Sequence, residues 1–208
     1  MSLQNRVDPC GAIIKSTARG TLMGNRGGAL HDDERLIVRQ FRSRQWITCL
    51  LEFKGRRRSV MSPGRYTELF FLDEAVALAA GHRPCAECRR ERFNAFRNAW
   101  DRSRQSEGGP LLASEIDREL HRARIDSRGE KVTWEAPLNA LPDGCFVQIE
   151  SASYLVWGEE LLQWSPGGYI KKHHRRNGLS VTVLTPKPVV QCIRQGYRPA
   201  IHDSSVAL

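Results

Sequence analysis

The apolar positions change rhythm several times along the first half of the chain. QWITCLLEFKG (45–55) is rich in aromatic and β-branched residues and reads as a strand. RRRSVMSPGRYTELFFL (56–72) predicts a turn at Ser62-Pro63-Gly64 and then another strand, while the glycine-rich GTLMGNRGGALHDD (20–33) predicts turns around a short strand. The period then lengthens. Asp73 can cap a short helix filled by EAVALAA and ended by Gly81. After Pro84, Phe93, Phe96 and Trp100 recur at helical spacing, with Arg89, Arg90, Arg92 and Arg97 opposite or flanking that stripe.

The second half opens with a helical pattern, LLASEIDRELHRARI (111–125), capped at Ser114 or a neighbour. GCFVQIE (144–150), SYLVWG (153–158) and ELLQWSP (160–166) are short apolar or alternating segments separated by turn residues, which predicts an antiparallel meander. GLSVTVLTP (178–186) adds a strand, and PKPVVQCIRQGY a terminal helix with Gly196 after it. No period of 20–50 residues recurs, so repeat architectures are not expected. The pattern predicts an α+β fold, a small sheet-and-helix part followed by an antiparallel β-rich part with flanking helices. The polar stretch DRSRQSEGGP (101–110) marks the expected boundary, with one domain over 1–108 and a second over 109–208.

Composition narrows the class. The chain has 208 residues, 40% hydrophobic and 26% charged, which is ordinary globular composition with enough length for a core. No apolar run reaches the roughly 18 residues of a membrane helix, and no secretory segment leads the chain. A soluble cytoplasmic protein is expected, in a pattern that suits a bacterial cytoplasm. The net charge of +9 is unevenly placed: residues 1–104 hold 20 Lys and Arg against 11 Asp and Glu, and residues 105–208 hold 12 of each. Arginine supplies 18 of those first 20 cations, and its planar fork suits phosphate. A basic half beside a neutral half predicts a nucleic-acid partner, DNA in the first instance; a solvated basic surface is the plainer alternative.

Six cysteines in 208 residues are too sparse for a small disulfide scaffold, and in a reducing compartment a close pair points to metal or catalysis. Cys85 and Cys88 form such a pair, in GHRPCAECRRERF. Cys-x-x-Cys places two thiolates on one zinc through a tight knuckle, and the same spacing serves a redox dithiol. A redox motif of thioredoxin type wants a strand directly before it, whereas a short helix is predicted there. Cys10, Cys145 and Cys192 stand alone and read as free thiols.

The stretch FFLDEAVALAAGHRPCAECRR resembles the C-terminal part of the Ada-type zinc-binding domain. Phe70, Phe71, Glu74, Ala75, Ala79, Ala80, Gly81, Arg83, Pro84, Cys85 and Cys88 fit that pattern, and His82 stands where the family usually has an aromatic residue. The likeness covers about a tenth of the chain. It implies a zinc knuckle, of a kind common in DNA-repair and nuclease-associated proteins. The methyl-accepting version has two further cysteines upstream at short separation, but residues 50–84 hold none here, so methyl transfer is not expected. Smaller relatives use a histidine and a cysteine upstream, and GNRGGALH (24–31) is loosely similar to their histidine segment. The resemblance thus implies His31, Cys49, Cys85 and Cys88 as the zinc ligands. Cys49 as a small core residue, His31 as a surface loop residue and His82 or Cys10 as a substitute ligand remain open.

Other signals add less. GNRGG (24–28) reads as a tight turn. Arg42, Arg44, Arg56, Arg57, Arg58, Arg65, Arg89 and Arg90 are the candidate phosphate contacts, with Trp46 and Tyr66 placed to stack on bases. KKHHRR (171–176) reads as a loop, and Asp117 with His121 as an ordinary pair on one helix face. The expectation is a protein with a structural zinc whose arginine face meets nucleic acid. The alternative is an enzyme, either a zinc-dependent nuclease-like hydrolase or a thiol enzyme using Cys49.

Overall fold

Among the described residues, short segments pair into two six-stranded sheets, and segments whose apolar residues recur at helical spacing form helices. The structure is a computed structural model that describes residues 2–55, 59–104, 111–176 and 178–208. The boundary expected at 108/109 lies outside them.

The first sheet contains β1 (Gln4–Val7), β2 (Ile13–Lys15), β3 (Leu22–Asn25), β4 (Ile47–Cys49), β5 (Leu69–Phe71) and β6 (Arg83–Pro84), in the order β2-β1-β5-β3-β4-β6. The pairs β1/β5 and β4/β6 are parallel and the others antiparallel. Helix α1 (Glu74–Ala79) links β5 to β6, helped by Asp73, whose Oδ1 accepts the Val76 N–H at 2.9 Å. Its buried residues include Ala75, Ala77 and Ala79, small enough for close packing on every side. Helices α2 (Arg90–Arg104) and α3 (Ala113–Arg124) follow. Glu115, rather than Ser114, closes the start of α3 by accepting the Leu112 N–H at 2.8 Å.

The second sheet contains β7 (Trp134–Pro137), β8 (Phe146–Ile149), β9 (Ala152–Trp157), β10 (Glu160–Ser165), β11 (Gly168–His174) and β12 (Ser180–Val183), antiparallel throughout in the order β11-β10-β9-β8-β12-β7. Helix α4 (Lys187–Arg194) closes the described architecture, apart from short 3-10 turns. The protein is α+β, and the meander β8–β11 matches the alternation in its sequence. Lys171–His174 differs from the expected loop: it continues β11 along an edge of the sheet, where Lys171, Lys172 and His174 are exposed to water.

Both cores draw on both halves of the chain. Phe96 and Trp100 of α2 pack with Ile116 and Leu120 of α3, Val147, Val183 and Ile193. Phe71, Leu72 and the alanines of α1 pack with Phe146, Leu155, Leu162 and Tyr169. Two carboxylates at the start of α1 reinforce this. Asp73 Oδ2 accepts from the Tyr169 hydroxyl at 2.7 Å and the His202 N–H at 3.0 Å, and Glu74 accepts from Arg89, Arg92, Tyr197 and the Ala200 N–H. The α1 segment is thereby fixed from all sides, and with it the chain that leads into Cys85.

Candidate metal centre

Strand pairing brings the cysteines together. Strands β4 and β6 run parallel with Ile47 opposite Arg83 and Thr48 opposite Pro84, and the Cys85 N–H donates to the Thr48 carbonyl at 2.8 Å. The next residue of β4 is Cys49, so the register sets it beside Cys85. Pro84 ends β6, and the chain turns tightly, with the Arg89 N–H donating to the Cys85 carbonyl at 3.2 Å and the Phe93 N–H to Arg89 at 2.8 Å. That turn carries Cys88 back toward Cys85. The three Sγ atoms lie within 4.8 Å of one another. Two sulfurs on one tetrahedral zinc are about 3.8 Å apart, from a Zn–S bond of about 2.3 Å, so small side-chain shifts would close the group on an ion.

The backbone already favours thiolate here. The Glu87 N–H donates to Cys85 Sγ at 3.4 Å, the Cys88 N–H also reaches Cys85, and the Leu50 N–H reaches Cys88. Cys85 is drawn well below the usual thiol range, first by the hydrogen bond from Cys49 and then, against burial, by those N–H groups. Cys49 is pushed up, first because it donates to Cys85 and then because it is buried. Burial and the neighbouring Cys85 raise Cys88. A cation among the sulfurs would displace the thiol protons that remain.

The cysteines line a cleft of about 600 Å³ together with Met23, Leu50, Leu51, Phe53, Tyr66 and Phe70. This corrects the strand expected over 45–55. Pairing stops at Cys49, and Leu50 and Leu51 are exposed (40% and 48%) because they wall the cleft instead of entering the sheet. Periodicity cannot separate such a wall from a strand. The Lys54–Glu87 ion pair, at 3.7 Å, ties this wall to the knuckle turn at the surface.

Of the four expected ligands, three come together. Cys49 is half-buried beside the pair, not a core residue. His31 does not join them. It is buried elsewhere, with Nδ1 2.6 Å from Thr67 Oγ1 and Nε2 3.2 Å from the Ser62 carbonyl. His82 is fully buried against Trp46 and Phe71, and its Nε2 accepts from Arg26. Cys145 and Cys192 are buried free thiols, and half-buried Cys10 lies 3.9 Å from Ser153 Oγ.

Among the candidate phosphate contacts, Arg42, Arg44, Arg65 and Arg90 are exposed, and Arg56, Arg57 and Arg58 lie outside the described residues. Arg89 turns inward: its guanidinium donates to Glu74 at 2.8 Å and to Thr48 Oγ1 at 2.9 Å, buried under the knuckle. Trp46 is buried too, with the guanidiniums of Arg26 and Arg124 over its ring. Asp117 and His121 do not pair with each other. Asp117 makes a bidentate bridge to Arg83, 2.8 Å on each oxygen, and His121 Nδ1 meets Arg124 at 2.9 Å.

Fold and site define an α+β protein with a three-cysteine group at metal-binding spacing. Comparison of the chain with family models, curated proteins and solved structures finds no match.

Proposed function

We propose that Cys49, Cys85 and Cys88 hold a zinc ion and that the protein uses this metal-stapled, basic half to contact nucleic acid. The convergence of three sulfurs within 4.8 Å carries the metal part of the reading. Thiolates are soft ligands that suit zinc, and the N–H donors on Cys85 and Cys88 supply the outer support such ligands need. The resemblance of residues 70–90 to the Ada-type zinc-binding domain supports the same reading. Bound zinc would keep the thiolates deprotonated and act as a Lewis acid. The chain's own part is to set Cys49 by the β4/β6 register, anchor the turn through Arg89 and Glu74, and shield the sulfurs with the apolar cleft wall. Elemental analysis of protein purified without a histidine tag is expected to give one zinc per chain, lost in Cys85→Ser; metal-free, folded wild type would overturn it.

Four exposed arginines and the concentration of all +9 net charge in residues 1–104 support the nucleic-acid part. Duplex DNA binding is expected to weaken steeply as salt rises, and binding indifferent to salt would contradict phosphate contact. The cleft favours a second reading, in which the site is catalytic. A closed structural zinc uses four protein ligands, whereas three cysteines opening on a cleft leave a position for a substrate group. Hydrolysis of DNA phosphodiesters that a chelator abolishes and zinc restores would favour it over the binding reading.

A further inference from the structure

Away from the cysteines, three cations line a smaller cavity of about 280 Å³. Arg26 and Arg124 are each 1% exposed and Lys131 is half-buried; all three line the cavity together with Trp46. Backbone carbonyls hold them in place, helped by His82 on Arg26 and His121 on Arg124. Arg26 donates to Gly11 at 2.7 Å and Gln40 at 3.3 Å, Arg124 to Gly81 at 2.8 Å and Arg44 at 2.7 Å, and Lys131 to Ala79 at 2.7 Å. Among the described residues no carboxylate oxygen lies within ion-pair distance of any of them. Asp8 is the nearest acidic influence on Arg26 and Lys131, and one of its oxygens is taken by the Ala12 N–H. Asp117 acts on Arg124 but is committed to Arg83.

Burying unpaired charge is costly, and sequences rarely gather three cations around one cavity without an anion to fill it. Burial, and for Arg124 the neighbouring Arg26, lowers both arginines to about 9, and burial lowers Lys131 to about 8. The lysine also has donors to spare: an ammonium offers three N–H bonds, of which Ala79 takes one. Stacking on Trp46, with guanidinium carbons 4.1 and 3.9 Å from the ring centre, fixes the two forks in position before any ligand arrives.

We propose that this cavity is a binding site for a small dianionic oxyanion, a phosphate group either free or on a small ester. Three cations outnumber Asp8, the one carboxylate that acts on Arg26 and Lys131, and that excess of positive charge around the cavity suits a phosphate dianion. The volume admits a phosphate or a small phosphate ester and excludes a large ligand. The site is independent of the cysteine group, and its test leaves the metal reading untouched.

Isothermal titration of the full chain with inorganic phosphate at about pH 7.5, against chloride at matched ionic strength, tests it directly. Saturable binding of one phosphate per chain is expected, weakened about tenfold or more in Lys131→Met and retained in Lys131→Arg. Without phosphate, Lys131→Met is expected to melt close to wild type, the relieved repulsion with Arg26 and the retained aliphatic length offsetting the lost Ala79 hydrogen bond. Glycerol 3-phosphate in a parallel arm separates free phosphate from an ester, the tighter binder naming the source. Wild-type heats equal to the chloride control up to about 10 mM of both probes would overturn the proposal, as would equal phosphate affinity in Lys131→Met.

Discussion

Glu74 shows how much one side chain carries. It is 1% exposed and accepts from Arg89, Arg92, the Tyr197 hydroxyl at 2.7 Å and the Ala200 N–H at 2.9 Å. Burial alone would raise its pKa, but Arg89 and these donors outweigh it and hold the carboxyl below its usual range. Glu74→Gln leaves Arg89 buried beside a neutral group, so a loss of about 3–5 kcal/mol in urea unfolding is expected; a loss near zero would mean the cluster carries no net stability. His82 sets a pH dependence of its own. Burial, and then Arg26 and Arg124, hold it neutral well below the usual imidazole range. The unfolded chain takes up that proton near pH 6.5 and the folded chain does not, so stability is complete above that pH and falls as pH drops, by about 1.4 kcal/mol per unit. His121, lowered by burial beside Arg124, adds to the slope in the same direction. Unfolding measured at pH 5.5 and 7.5, about one unit either side of that value, should show the loss in wild type and a smaller one in His82→Phe.

At the scale of elements, the pairing that delivers Cys49 depends on close backbone approach. A Cβ on Gly24 of β3 would stand 2.2 Å from the Ile47 carbonyl of β4. Gly24→Ala must therefore displace β4 two residues before Cys49, and it is expected to cost about 1–3 kcal/mol and weaken metal retention against a chelator; unchanged retention would show that the register tolerates the shift. Elements whose signal is local were legible in the sequence. Asp73 and Gly81 bracket α1, the Phe93–Phe96–Trp100 stripe is the buried face of α2, and turn residues separate the strands of the meander. Elements whose limits are set by distant partners were not. Leu50 and Leu51 look like strand residues until the cleft shows why they leave the sheet, and Lys171–His174 looks like a loop until β10 pairs with it. The same distinction separates the candidate ligands. Cys85 and Cys88 announce themselves by spacing, Cys49 joins only through the β4/β6 register, and nothing in the sequence around His31 says that Thr67 and Ser62 will take its two nitrogens.

For the molecule as a whole, the shift from a basic to a neutral half in the sequence coexists with cores that cross it. Phe96 and Trp100 pack against second-half residues, and Phe146, Leu155 and Tyr169 share a core with α1. One cooperative transition is therefore expected when the full chain unfolds, with far-ultraviolet circular dichroism and tryptophan fluorescence coinciding; two separated transitions would mean that each half holds its own stability. A metal on the three cysteines would act at this scale as well, joining β4 to the start of α2 and so clamping the first sheet to a helix that enters the shared core.

The most direct test is a titration of metal-free protein with cobalt(II), a spectroscopic stand-in for zinc, followed in the thiolate-to-metal charge-transfer region. With three thiolates on one ion, one equivalent should saturate the signal, each of Cys49→Ser, Cys85→Ser and Cys88→Ser should remove about a third of it or more, and His31→Ala should leave it unchanged. A signal that survives Cys49→Ser intact, or no signal from the wild-type chain, would contradict the three-cysteine centre.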